Sequence, residues 1–300
     1  MIAALPEQVL QPLRAGRVLA ERMTFRPYVT EVRLVDRAYR FLIADRSSQS
    51  WYTAPAQRHN RHFRWLVERM LAPGDVVLQC GAHHGFSTLP LATRVGPRGA
   101  VYCVEPHPRN AAIIGRNAAL NGLSNIHPVV RAVAGYTGGI RLLHGSHTSV
   151  PATTQRGQPG FRARASTLDD LVEELGIRPD LVVLDIGGME LEALRAAPKL
   201  VASRPRWAIE VHPRDLQLRG QAPADLLPYL APARLFVVAA DGRGGSPIES
   251  LPGGTLPDIP HELYALPWRV GANGRTAGRG PGDAAPPHDQ GDYPPRVRES

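Results

Sequence analysis

Short apolar segments alternate with helix-like segments through the middle of the sequence. The apolar segments lie at residues 75–80, 100–105, 181–185, 207–211 and 234–240. The helix-like segments lie at residues 87–94, 109–121, 167–175 and 189–202. Apolar strands that lead directly into helices are typical of a parallel sheet whose two faces are both covered. The sequence therefore predicts an α/β fold built on a mostly parallel sheet.

The two ends of the chain have different patterns from the middle. Residues 28–35 and 40–44 have the composition of a small antiparallel strand pair, and residues 59–71 place apolar side chains on one face of a helix. We therefore expect residues 1–70 to form a cap on a main domain at residues 71–268. From residue 271 to residue 300 there are six Gly, five Pro and no Leu, Ile, Phe, Met or Trp. Since such a segment cannot bury enough apolar surface, residues 269–300 are predicted to be a disordered tail.

Composition excludes several classes of protein. No apolar segment approaches the roughly 18–20 residues that a membrane span needs. Two cysteines cannot build a disulfide framework, so we expect a cytoplasmic protein. The net charge of +8 is concentrated in residues 1–70. An electropositive face there can meet an anionic partner, but a solvated surface explains it better, and the sequence disfavours a nucleic-acid partner.

The residues that follow the first two predicted strands of the main domain suggest a cofactor site. In an open parallel sheet, ligands bind at the carboxyl ends of the strands. Gly81 and Gly85 follow the first strand, where they allow a tight turn, and Glu105 ends the second strand 24 residues after Gly81. An acid at this place can accept hydrogen bonds from ribose hydroxyls. The pattern predicts an adenosine-type cofactor, although close packing of helix and strand also explains the two glycines.

Several blocks in order resemble a known family. They are LQCGAHHGFSTLPLA, GAVYCVEPHPRNAAIIGRNAALNGLSNIHPVVRAVAG, STLDDLVEELGIRPDLVVLDIGGMELEALRAAPKL and WAIEVHP. Together with the closing pair RLFVVAADGR and HELYALP, they resemble the FkbM-type S-adenosylmethionine (SAM)-dependent methyltransferases from residue 71 to residue 267. The resemblance implies a class I Rossmann-like fold, with a seven-stranded sheet whose last strand is antiparallel, and methylation of oxygen on small molecules, sugars or glycolipid-like acceptors. It places SAM against Gln79, Gly81, Ala82, His83, Gly85, Glu105, Pro106 and Asp185.

Three positions depart from the family pattern. Gln79 stands where family members usually carry Asp, His83 replaces Asn, and Gly187 replaces the middle acid of a block in which Asp185 and Glu190 remain. A neutral amide binds the ammonium of the cofactor less strongly than a carboxylate does. These departures keep open a second hypothesis, a catalytically degenerate binding protein with the same fold. A nucleic-acid methyltransferase, which only the basic N-terminal region suggests, ranks last.

The candidate catalytic residues come from the block E-V-H-P. Glu210 and His212 are two residues apart at the end of a strand, so their side chains point to the same face. We predict that His212 removes the proton of an acceptor hydroxyl and that Glu210 orients His212 or binds the acceptor. Asp185 is expected to contact the cofactor or the acceptor. Glu190, which begins the next helix, is expected to be more exposed and either to belong to the site or only to favour the helix dipole.

The metal and acceptor predictions are less specific. Asp185, Glu210 and a few waters can bind a divalent cation, but Gly187 removes one carboxylate, so the sequence favours no metal. The acceptor is expected to be a small molecule or carbohydrate, closed in by a loop at residues 143–166. Trp51 and Tyr52 form part of an acceptor wall or simply pack inside the cap.

Overall fold

The computed structural model describes residues 24–53, 60–144, 149–151, 160–239, 248–250, 256–257 and 259–267. The predicted tail at residues 269–300 lies outside these ranges, as do residues 1–23 and part of the predicted substrate loop. Among the described residues, none of the helices has the length and apolar character that crossing a membrane requires.

Fourteen strands and nine α-helices are present in the described ranges. The strands are Tyr28–Leu34 (β1), Arg37–Ile43 (β2), Val76–Cys80 (β3), Ala100–Val104 (β4), Ile126–Val129 (β5), Ala132–Val133 (β6), Gly138–His144 (β7), Ser149–Pro151 (β8), Gly160–Ser166 (β9), Leu181–Leu184 (β10), Arg206–Val211 (β11), Ala233–Ala239 (β12), Ile248–Ser250 (β13) and His261–Pro267 (β14). The helices are Arg46–Tyr52 (α1), Asn60–Arg69 (α2), Thr88–Val95 (α3), Pro108–Leu120 (α4), Leu168–Leu175 (α5), Glu190–Arg195 (α6), Pro198–Ala202 (α7), Pro213–Gln217 (α8) and Leu227–Leu230 (α9). A 3-10 helix, Pro223–Leu226, precedes α9.

The main sheet has the strand order β13-β12-β14-β11-β10-β3-β4-β5. Strands β5, β4, β3, β10 and β11 run parallel to one another, and β14 is antiparallel to both β11 and β12. This arrangement confirms the predicted α/β fold with a seven-stranded, mostly parallel sheet. The short strand β13 extends it by one strand at the edge.

Both faces of the main sheet are buried, as the unbroken apolar strands predict. Neighbouring residues of β3 show the alternation, because Val77 contributes to one apolar cluster and Leu78 to the other. The Val77 cluster includes side chains from β1, β2, α2, α3 and α4, and the Leu78 cluster includes side chains from α5, α6 and α7. The sheet is therefore a rigid support for the residues at its carboxyl edge.

The N-terminal region has the predicted strand pair and helix. Strands β1 and β2 pair antiparallel, and β2 is fixed to α4 by the bond from the Leu42 backbone N–H to Asn117 Oδ1 at 2.8 Å. Asp45 caps α1 by accepting the Ser48 backbone N–H at 2.9 Å. Because α1 follows β2 directly, Trp51 and Tyr52 at its end reach the carboxyl edge of the main sheet.

Two predictions of secondary structure were wrong. The helix expected over residues 189–202 is two helices, α6 and α7, because Pro198 lacks an N–H and its ring crowds the preceding turn. The segment 143–166, which we expected to be a loop, contributes strands to a separate sheet of order β6-β9-β7-β8. Its longest pairing joins β7 and β9 antiparallel, with Ile140 opposite Ala163. Glycine and arginine in these strands obscure the alternation in the sequence.

Candidate active site

The carboxyl ends of β3, β4, β10 and β11 converge on a cavity of about 530 Å³, a size typical of small-molecule sites. Its lining includes every predicted site residue except Gly85: Gln79, Gly81, Ala82, His83, Glu105, Pro106, Asp185, Glu210 and His212. The topology of the sheet explains this convergence, since β3 and β10 are the adjacent central strands at which the order of the sheet reverses.

Gly81 allows two strand ends to approach each other closely. Its φ is +87°, in the region that favours glycine, and a Cβ atom there would lie 1.8 Å from the carbonyl oxygen of Asp185. Its N–H donates to the Val104 carbonyl at 2.9 Å. Glycine at this position thus connects the turn after β3 with the ends of β4 and β10.

Glu105 is buried and held in a fixed orientation. Its Oε2 accepts the His83 backbone N–H at 3.0 Å, and its Oε1 accepts the His107 backbone N–H at 3.0 Å and the Asn110 amide at 3.2 Å. These donors occupy three of the roughly four lone-pair positions of a carboxylate. The remaining position is available to a ribose hydroxyl in the cavity. Burial raises the pKa of Glu105 to about 7, although the three hydrogen bonds oppose the shift.

Gln79 and Gly85 serve the scaffold. The Gln79 amide donates to Ser87 Oγ and accepts from Thr88 Oγ1, both at 2.7 Å, so each end of the side chain is bonded to the start of α3. Gly85 does not line the cavity, contrary to the prediction that it contacts the cofactor. A Cβ atom on Gly85 would meet Ile114 of α4 at 3.3 Å, which supports the alternative of close packing for this glycine.

His83 and His84 are uncharged side chains that pack beside the turn. Burial lowers the pKa of His83 to about 3 and that of His84 to about 4. The His83 ring faces the cavity, stacks on His84 at 4.0 Å between centroids and shares a 2.6 Å hydrogen bond with the Tyr52 hydroxyl. Trp51 and Phe86 complete an aromatic wall on this side of the cavity.

Asp185, Glu210 and His212 form a cluster at another part of the cavity wall, as their strand-end positions predict. His212 Nε2 lies 3.4 Å from Glu210 Oε1. Burial opposes the protonated form of His212, but the contact with Glu210 and the charges of Glu210, Asp185 and Glu190 outweigh burial and raise the pKa of His212 to about 10. Burial and the charge of Glu210 raise the pKa of Asp185 well above its usual range. These surroundings favour the protonated form of His212, and the protonated form must lose its proton before it can accept another.

Glu190 and Gly187 differ from expectation. Glu190 is fully buried rather than exposed, and its Oε1 accepts the backbone N–H groups of Ile186 at 3.1 Å and Gly188 at 3.2 Å. It thus holds the loop that follows Asp185. Gly187 in this loop has φ +63°, a conformation that is unfavourable for other residues. The replacement of the family's acid by Gly187 therefore coincides with a loop backbone that favours glycine at this position.

Glu262 is a cavity residue that sequence reasoning missed. It lies on β14 directly opposite Glu210 of β11, and it lines the cavity with Tyr264 two residues later. Burial and the charge of Glu210 raise the pKa of Glu262 to about 8, while the charge of His212 opposes the shift. A lone acid in the apolar strand HELYALP was the available signal.

Comparison with known proteins identifies the chain. Residues 79–238, more than half of the sequence, match the family model described as the methyltransferase FkbM domain. The chain belongs to the FkbM methyltransferase family. It is a methyltransferase, and its methyl donor is SAM. No curated protein matches the sequence.

The solved structures that resemble this fold have low sequence identity to the chain. A precorrin-6y C5,15-methyltransferase from Geobacter metallireducens is 14% identical with a TM-score of 0.38, over 68% of this chain and 85% of that one. A SAM-dependent O-methyltransferase from Thermotoga maritima is 14% identical with a TM-score of 0.41, over 80% of this chain and 78% of that one. Fibrillarin from Aeropyrum pernix, solved with natively bound SAM, is 14% identical with a TM-score of 0.39, over 69% of this chain and 76% of that one.

The residues present fit the cofactor. Gly81 lines the cavity where the ends of β3 and β10 approach each other, and the fixed carboxylate of Glu105 offers an acceptor to a ribose inside a cavity of suitable volume. The neutral amide of Gln79 brings no charge to the methionine end, and both ends of the amide are bonded to Ser87 and Thr88.

Proposed function

We propose that this methyltransferase acts on a hydroxyl oxygen of a small molecule or sugar bound beside Glu210 and His212. The observation that carries the proposal is the contact of 3.4 Å between His212 Nε2 and Glu210 Oε1 at the wall of the same cavity that Glu105 lines. Methyl transfer requires an aligned acceptor, and a hydroxyl acceptor also requires a group that takes its proton. Glu210 and His212 supply such a group.

The bound cofactor supplies an electrophilic methyl group on a positively charged sulfur. A positive charge beside the Glu210–His212 pair would lower the pKa of His212 from its value of about 10. The neutral imidazole then accepts the hydroxyl proton, and Glu210 stabilises the imidazolium that forms. Since His212 must first lose a proton, we expect methyl transfer to become faster as the pH rises from neutral into the alkaline range.

A small acceptor suits this part of the cavity better than a nucleic acid does. Asp185, Glu210 and Glu262 line it, and carboxylates repel a phosphate backbone. The aromatic wall of Trp51, Tyr52 and Phe86 offers flat apolar surface to a ring. Together they favour an acceptor with an apolar or ring-shaped body and an uncharged hydroxyl.

The test is an assay of the full chain with radiolabelled SAM and a panel of sugars and hydroxylated ring compounds. We expect labelled O-methyl product, with kcat at least about 100-fold lower in His212→Gln, because general-base groups contribute about that much. His127→Gln on β5, whose side chain is exposed, is the matched control and should keep full activity. A product methylated on nitrogen or carbon, or full activity in His212→Gln, would overturn the proposal.

A further inference from the structure

Asp185, Glu210 and His212 have the arrangement of metal ligands. Each offers one ligand atom, and these three atoms all lie within 4.8 Å of one another. Two of the residues come from the end of β11 and the third follows β10, the neighbouring parallel strand. The pairing of β10 with β11 therefore brings the three side chains together at the carboxyl edge of the sheet.

The separations suit a single ion after the side chains adjust. Ligand atoms at about 2.1 Å from one ion lie roughly 3–4.2 Å apart, so atoms within 4.8 Å need to close by at most about 1.8 Å. The pair His212 Nε2 and Glu210 Oε1, at 3.4 Å, already has a suitable separation. All three side chains are partly exposed to the cavity, so an ion and its water ligands can reach them.

A third acid next to the cluster, Glu190, independently suggests a cation. Glu190 is fully buried, and within the described residues its Oε2 has no hydrogen-bond partner. It lies close enough for its charge to act on both Asp185 and His212. Buried polar atoms are nearly always bonded, so the unpartnered Glu190 Oε2 beside three ligand-type side chains points to a bound group.

The charge of the region has the sign that a cation requires. The charged groups that act most strongly on Asp185 are Glu210, His212, Glu262 and Glu190, of which only His212 is basic. Several acids near one another in a half-buried site are costly unless a positive charge accompanies them. A divalent cation supplies that charge.

We propose that Asp185, Glu210 and His212 bind one divalent cation, with water or an acceptor oxygen in the remaining positions. Carboxylates suit Mg²⁺ and Mn²⁺, whereas imidazole suits the first-row transition metals, so Mn²⁺ fits the mixed set better than Mg²⁺ does. From the sequence we expected no metal, because we considered only carboxylates and waters as ligands and assigned His212 to proton transfer alone. The proposal rests on the proposed function for the acceptor hydroxyl, but it gives His212 a different role. When His212 Nε2 is bound to the ion it cannot take the hydroxyl proton, and the ion instead polarises the hydroxyl so that its proton leaves to water.

The experiment is calorimetric titration of Mn²⁺ into the full chain after treatment with a chelator. We expect one saturable site in the wild type and an affinity at least about tenfold lower in each of Asp185→Asn, Glu210→Gln and His212→Gln. Glu173→Gln and His127→Gln, both at exposed positions, are the matched controls and should bind Mn²⁺ as the wild type does. Far-UV circular dichroism and urea unfolding of each variant verify that it is folded.

Failure of this proposal is distinguishable from failure of the proposed function. If the wild type binds S-adenosylhomocysteine but no Mn²⁺, or if the three ligand variants bind Mn²⁺ normally, the metal site is wrong. Methyl transfer to a hydroxyl that continues undiminished in excess chelator would also overturn it while leaving the proposed function intact. Saturable Mn²⁺ binding that the three substitutions abolish, in a protein that methylates no hydroxyl, would support the metal site and contradict the proposed function.

Discussion

The two ends of the cavity differ in how their polar groups are partnered. Around Glu105, three N–H donors fix the carboxylate. Around Asp185, carboxylates and His212 face one another, and buried atoms of Glu190 and His212 have no hydrogen-bond partner within the described residues. The Glu105 end has a fixed set of hydrogen bonds, which suits binding of the cofactor. The Asp185 end has polar groups whose partners are incomplete, which suits binding of an acceptor and proton transfer.

The largest expected effect is at the turn that joins the two ends. In Gly81→Ala the new Cβ atom would lie 1.8 Å from the Asp185 carbonyl oxygen, so the strand ends must move apart. We expect a loss of more than about 3 kcal/mol in the free energy of urea-induced unfolding.

The matched control is Gly176→Ala at the end of α5. Gly176 also has a positive φ, +62°, but nothing lies within 4 Å of its Cβ position. It should lose only about 1–2 kcal/mol, the cost of the backbone conformation alone. Equal losses at the two positions would mean that the close approach at Gly81 contributes nothing.

A smaller effect is expected in the pH dependence of ligand binding at the Glu105 end. Because burial raises the pKa of Glu105 to about 7, the carboxylate becomes protonated just below neutral pH and then accepts a ribose hydroxyl less strongly. The affinity for adenosine, which has no group that titrates near neutral pH, should therefore be constant in mildly alkaline solution. Below pH 7 it should fall by up to about tenfold per pH unit.

Calorimetry of the wild type and Glu105→Gln across this range tests the assignment of the pH dependence. The variant cannot titrate at position 105, so its affinity should be lower and independent of pH. A wild-type affinity that is flat through neutral pH, or the same pH dependence in Glu105→Gln, would refute it.

The smallest effect concerns the aromatic wall. Tyr52→Phe removes the hydroxyl that bonds His83 Nδ1 at 2.6 Å, and it should lower the free energy of unfolding by about 1 kcal/mol. Tyr136→Phe is the control, because the Tyr136 hydroxyl is bonded at 3.3 Å in an exposed position and should contribute almost nothing. Urea unfolding of the two variants tests the difference. If both variants lose the same free energy of unfolding, the Tyr52 hydroxyl does not stabilise the turn that contains His83.

The sequence was sufficient to predict features that depend on local pattern. The apolar runs located the parallel strands, and strand-end reasoning placed Glu105, Asp185, Glu210 and His212 on one cavity, because parallel strands bring their carboxyl ends to one edge. The strands of the second sheet were missed because their pairing is not encoded in a clear alternation.

The state of individual side chains could not be predicted in the same way. Contacts with residues of other elements decide these states. They determine that Glu190 is buried, that Gly85 packs against α4 and that the Gln79 amide is already bonded. Glu262 joined the site because β14 pairs antiparallel with β11, a long-range register that a single acid in a strand does not reveal.

The most direct test of the separation between the two ends is titration of S-adenosylhomocysteine into the wild type, Glu105→Gln and Glu210→Gln. A hydrogen bond to a charged group contributes about 1.5–3 kcal/mol, so Glu105→Gln should bind roughly 10–100-fold more weakly. Glu210→Gln should bind within about threefold of the wild type, since a difference that small is below 1 kcal/mol. Wild-type affinity in Glu105→Gln, or an equal loss in both variants, would contradict the account.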